Sequence, residues 1–199
     1  MKNRKSYQAD PRHGFTLVEI VSVIAVLAVL FAVLAGSVLS INKKAKVTES
    51  KALFSRLEMA VQAYQHDYGY YPNLGGTILD GDQIVDLSNA EQWARFIKVF
   101  ALESPTGESM DEDPLITQLN PRKNVYLNLQ IRDLPADSLG VPRLEDAFGN
   151  PHIKLVMDAD MDGRIAPANL PGGAGSIAKR VAVYTQSPSG EYPELTSWD

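Results

Sequence analysis

The sequence predicts an α+β fold on three observations: a long helical pattern over 15–68, a shorter amphipathic helix over 89–102, and alternating apolar segments separated by turn residues in the C-terminal third. At 199 residues the chain is one ordinary domain with an appendage. Its 45% hydrophobic and 22% charged residues lie near the globular average, which excludes a polytopic membrane protein and a disordered chain. Cysteine is absent, so disulfides, thiolate zinc sites and cysteine nucleophiles are excluded. Residues 1–14 carry four Lys/Arg against one acid, leaving 15 bases and 23 acids, a net −8, on residues 15–199. An acidic body of this kind argues against nucleic-acid binding.

The first element begins with the basic residues Lys2, Arg4, Lys5 and Arg12, then Gly14, then an apolar stretch from Phe15. Ile20 to Ile41 contains no charged residue, and a helix of that length spans roughly 33 Å, enough for a ~30 Å hydrocarbon core. Residues 15–41 are therefore expected to form a membrane-spanning helix. An alternative is a secretory signal cleaved after Val33-Leu34-Ala35, before Gly36. Glu19 disfavours it, because an acid inside an apolar helix calls for a partner. Cleavage between Gly14 and Phe15 would supply one, a new amino terminus one helical turn away.

The helical pattern continues beyond the apolar run. Past Lys43, Lys44 and Lys46, the residues Phe54, Leu57, Val61, Tyr64 and Tyr68 recur at helical spacing and mark one buried face. Gly69 and Pro72 supply the stop. Glycine-rich residues 69–89 read as a loop with at most a short strand near Ile84. Ser88 and Glu91 stand at capping-box spacing before Trp93, Phe96, Ile97 and Phe100, which share the face of the second helix. Residues 103–114, with the run Asp111-Glu112-Asp113, read as an exposed acidic loop. Strands are expected over Val125–Ile131, over 152–157 and over Val181–Thr185, the sheet covering the apolar stripe of the long helix.

The segment Gly14-Phe15-Thr16-Leu17-Val18-Glu19, between a basic leader and an uncharged helix, resembles the class III signal of type IV pilins and type II secretion pseudopilins. The resemblance implies a pilin-like fold, a leader over 1–14 removed after Gly14 by prepilin peptidase, N-methylation of Phe15, and pairing of Glu19 with a neighbouring subunit's amino terminus during filament assembly. Asp146-Ala147-Phe148-Gly149-Asn150-Pro151 resembles a segment of the major pseudopilins, with Ala147 and Phe148 in place of Pro and Trp. Val183-Tyr184-Thr185 and Ser187-Pro188-Ser189-Gly190 are similar to their terminal strand and turn.

Asp158-Ala159-Asp160-Met161-Asp162-Gly163 carries acids at the first, third and fifth positions and glycine at the sixth, the first half of a calcium loop. Its twelfth position is Asn169 rather than glutamate, and a strand precedes it, so it is not an EF-hand. Calcium held by Asp158, Asp160, Asp162 and Asn169 is weighed against a solvated acidic turn. Catalytic patterns are lacking: His13, His66 and His152 form no metal-binding or triad motif, and Gly172-Gly173-Ala174-Gly175 lacks phosphate-loop spacing.

The expectation is a structural subunit and not an enzyme: a pseudopilin with a single inner-membrane pass over 15–41 and a periplasmic domain over 42–199. It would polymerise with copies of itself and other pilin-like subunits into a type II secretion filament. Prepilin peptidase, an inner-membrane assembly platform and its ATPase are partners implied by the resemblance. A type IV pilus subunit, and a secreted or anchored calcium-binding protein or hydrolase, are the alternatives.

Overall fold

The computed structural model describes residues 15–110, 112–129, 134–137, 140–173 and 175–198, with the side chains of 33–40 and 173 outside the description. The leader, Gly14 included, lies outside the described residues. The chain divides into two units, the first ending at Lys44 and the second covering Ala45–Asp199. Helix α1 (Leu17–Tyr68) contributes to both. It ends as the sequence requires: Gly69 turns left-handed at φ 78° and its N–H bonds the Gln65 carbonyl at 2.7 Å.

The second unit is built on a four-stranded antiparallel sheet in the order β1 (Thr77–Leu79), β2 (Asp82–Asp86), β3 (Ile153–Asp158) and β4 (Val181–Thr185). Strand alternation sends Val85, Leu155, Met157, Val181 and Val183 to one face. There they join Leu53, Phe54, Leu57, Val61 and Tyr64 of α1, together with Trp93, Phe96, Ile97 and Phe100 of α2 (Ala90–Ala101), in one apolar core. This is the α+β, pilin-like arrangement of a helix laid on a small sheet. Both predicted helix stripes are the ones buried, with Tyr68 half-buried at the end of the first.

The sheet's other face is also covered. Val156, Ala182 and Tyr184 lie under Ile165, Leu170, Ile177 and Trp198, which come from the β3–β4 connection and the C-terminal segment. That segment also runs along β4: Thr185 N–H bonds the Leu195 carbonyl at 2.9 Å and Ser197 N–H bonds Val183 at 2.9 Å. Glu58 of α1 fastens the arrangement, accepting from Lys179 Nζ at 3.1 and 3.3 Å and from the Ser197 hydroxyl, while Lys179 also donates to the Ser197 carbonyl at 3.0 Å.

Four details differ from the sequence reading. Residues 125–129 form no ladder, because Tyr126 and Leu127 both direct their N–H groups to the Phe100 carbonyl at the end of α2. Residues 130–131 of that expected strand lie outside the described residues. The single strand expected near Ile84 is a hairpin, β1–β2. Asn89, not Ser88, caps α2, its side-chain Oδ1 accepting from Glu91 and Gln92 N–H, while Ser88 bonds Asp86. The acidic loop leads directly into a short helix α3 (Pro114–Leu119), capped by Asp113, which also pairs with Lys98 at 2.9 Å.

Candidate functional site

Among the described residues of the first unit, the apolar side chains have no core of their own. Phe15, Leu17 and Val18 are 74–84% exposed, and the large apolar residues from Ile20 to Phe31 are exposed on all sides of the helix. A surface apolar all round is stable only against lipid or against other protein. Among the described residues, no helix is long and apolar enough to cross a membrane. The stretch expected to do so includes 33–40, whose side chains lie outside the description.

Glu19 sits at the start of this helix in a reciprocal capping arrangement with Thr16. Its Oε2 accepts from Thr16 N–H at 2.8 Å and from the Thr16 hydroxyl at 3.0 Å, while Thr16 Oγ1 accepts from Glu19 N–H at 3.2 Å. The carboxylate is thereby held against the nitrogen that follows Phe15. Thr16 was legible as a partner, since Thr-x-x-Glu is capping-box spacing, but the sequence reading did not use it.

In the second unit, β3 delivers Asp158 to the start of the acidic turn. Asp158 is fully buried, whereas Asp160 and Asp162 are exposed, and one oxygen from each lies within 4.8 Å of the others. The turn is closed by its own backbone: Asp158 accepts from Asp162 N–H at 3.1 Å and Gly163 N–H at 2.8 Å, and Asp162 accepts from Arg164 N–H at 2.8 Å. Met161 and Gly163 take positive φ values of 61° and 83° to make it. The Asp160 N–H anchors the turn to the Gly81 carbonyl of the β1–β2 hairpin at 3.0 Å.

Asn169 lies apart from this backbone closure. Only 2% exposed, it donates to the Leu79 carbonyl at 2.9 Å and to Asp82 Oδ2 at 2.7 Å, and its own Oδ1 has no partner among the described residues. Asp82, 1% exposed and cross-strand from Asp158, is an acid the sequence reading missed; nothing local marks it. Burial pushes the Asp82 and Asp158 carboxyls above the usual range, reinforced for both by neighbouring acids of the turn. Acidic groups are thus crowded together where solvation is poor.

Residues 146–151 form a second fixed turn. Asp146 Oδ1 accepts from Phe148 N–H at 2.8 Å and Asn150 N–H at 2.9 Å, with Gly149 at φ 83°. Asn150 ties it to the Gln186 carbonyl at 3.0 Å, and Ser50 of α1 accepts from Ala147 N–H at 3.1 Å. Of the histidines, His66 lies exposed beside Asp67 at 3.5 Å, and His13 is outside the described residues.

Residues 10–35 match a family model described as the prokaryotic N-terminal methylation motif. No curated protein and no solved structure is significantly similar to the chain. The matched motif covers Gly14, Phe15 and Glu19, and the chain therefore carries the prepilin-type signal of type IV pilin-like subunits, which are processed by prepilin peptidase and assemble with one another.

Proposed function

We propose that the chain is a pseudopilin: a precursor cleaved after Gly14, methylated on Phe15, anchored in the inner membrane by 15–41, and polymerised into the periplasmic filament of a type II secretion system. The supporting observation is the matched N-terminal motif heading a helix whose large apolar side chains from Phe15 to Phe31 are exposed on every side. Packing such helices together removes their apolar surface from lipid and water alike. Glu19 would meet the amine of Phe15 on a neighbouring subunit, and Thr16 already aims the carboxylate at that end of the helix. The chain has no nucleotide motif, so the work of extraction falls to an assembly ATPase acting through a membrane platform. The segment 146–151 and the acidic turn favour the secretion filament over a surface pilus.

Sequencing the N-terminus of membrane-extracted protein tests the reading. Methylated Phe15 is expected; Gly36 would mean secretion and an intact Met1 simple anchoring. Loss of the gene should stop export of folded periplasmic proteins without removing surface pili, and the opposite outcome assigns the chain to a pilus. Glu19→Val should leave insertion and cleavage intact but impair incorporation, and a normal filament yield from it rejects the pairing.

Calcium at the acidic turn belongs to the same proposal. Three carboxylates with oxygens within 4.8 Å suit a hard cation that takes six to eight oxygens, and Asn169 Oδ1 is a buried acceptor without a partner among the described residues. When bound, calcium would neutralise Asp158, Asp160 and Asp162 and secure the connection that covers the sheet. Calcium should raise the melting temperature and chelator lower it; an unchanged temperature in both rejects the site.

A further inference from the structure

A cavity of about 180 Å³ opens beside α1, its lining combining the apolar Leu53, Leu129 and Leu144 with the acids Glu49, Glu145 and Asp146. It is smaller than the ~300–1,000 Å³ of small-molecule pockets and close to the ~150 Å³ void that admits one benzene ring, so it suits a single side chain. Its walls carry three carboxylates against one cation, Arg56. Asp146 is only 6% exposed, and while its Oδ1 closes the 146–151 turn, its Oδ2 has no partner among the described residues. An orphaned, buried carboxylate oxygen is costly unless a donor reaches the site. The neighbouring Glu145 carboxyl is raised, first by burial and then by Asp146, as expected where acids crowd together with too few cations.

A lining that is part apolar and part anionic matches a lysine, whose methylene stem is apolar and whose head carries three donors. This chain offers such a side chain on its own helix. Between Glu19 and Glu49 there is no acid, and Lys43 stands exposed in that stretch, so its charge is unbalanced along the helix. Lys46 is already engaged with the Phe148 ring at 5.5 Å.

From this we infer that the Glu49–Glu145–Asp146 cavity is a socket for a lysine ammonium presented by a second copy of the chain, Lys43 being the residue that fills it. The inference rests on the reading of the chain as a filament subunit. It fixes where along a neighbour's helix each second unit docks, in addition to the contact made by Glu19.

The experiment is zero-length carbodiimide coupling of assembled filaments grown from a mixture of ¹⁴N- and ¹⁵N-labelled wild-type chains, followed by mass spectrometry. Mixed-isotope linkages from Lys43 to Glu49, Glu145 or Asp146 are expected. Glu49→Gln combined with Glu145→Gln should lower filament yield several-fold with unchanged near-ultraviolet circular dichroism of the monomer. The exchange Lys43→Glu with Glu145→Lys should recover yield that Lys43→Glu alone loses. Normal filaments that contain no such linkage, or a yield indifferent to both glutamines, overturn the socket and leave the filament reading standing. A wild-type chain that forms no filament overturns both.

Discussion

Lys179→Met isolates the contact that fastens the C-terminal segment to α1. The substitution keeps an apolar stem of similar length and removes the ammonium that Glu58 receives at 3.1 and 3.3 Å and the Ser197 carbonyl at 3.0 Å. Side-chain exposures of 13% for Glu58 and 32% for Lys179 put the pair between two regimes. Breaking a fully buried pair costs about 3–5 kcal/mol, while an exposed one is worth about 0–1 kcal/mol. Glu58 keeps the Ser197 hydroxyl, which limits the penalty. The expected loss is therefore about 2 kcal/mol, or a fall of roughly 4–8 °C in melting temperature for a unit of this size. Urea unfolding of the full chain in detergent, followed by fluorescence, would report it, because Trp93 is fully buried with its indole N–H on the Pro142 carbonyl. Adding Glu58→Gln should return part of the loss, since it removes the charge left uncompensated. A single-variant loss under about 0.5 kcal/mol, which is the exposed-pair range, refutes the reasoning. So does a double variant whose losses simply add.

Three further outcomes follow from the geometry. Gly76→Ala should destabilise the unit by at least about 1–3 kcal/mol and speed hydrogen exchange in β1, because an added Cβ would lie 2.1 Å from the Ile84 carbonyl oxygen and 2.8 Å from its carbon, which is backbone and cannot swing aside. Asp113→Ala removes the α3 cap and the partner of Lys98, at about 1–2 kcal/mol by urea titration. Lys98 holds the Asp113 carboxyl below its ordinary 3.8, so its contribution is complete above that pH and disappears as pH falls through the lower folded value; the variant's acid-unfolding profile should be flatter there. Tyr64→Phe leaves the Leu119 carbonyl without the hydroxyl that reaches it at 2.5 Å and should cost about 1–3 kcal/mol in the same titration, with the fold retained.

What could be seen in the sequence was whatever repeats with the period of one element. The α1 stripe and the α2 aromatic face are helical periodicities whose residues all enter one core, so spacing alone located them. The alternation at 125–129 misled because extended segments alternate whether or not they have strand partners; Leu127 and Leu129 are buried, Val125 is 60% exposed, and the N–H groups serve the end of α2. Strand β1 was hidden because it is three residues long and its apolar residues, Ile78 and Leu79, are adjacent, which leaves no alternation to read. Helix α3 was hidden because only Ile116 is buried over its six residues. In the acidic turn the spacing of Asp158, Asp160 and Asp162 survived folding, since all three lie on one short segment. The juxtaposition of Asp82 with Asn169 spans 87 positions and depends on the β2–β3 register, which no local pattern encodes.

The path of residues 195–197 beside β4 bears on how these chains stay orderly when crowded together. A sheet with a bare flank invites strangers to add strands, the route by which concentrated proteins become insoluble. Here one flank is occupied by the chain's own tail and the other is a strand of three residues, too brief to template a long ladder. Chains held at high density are thus kept from fusing their sheets into one another.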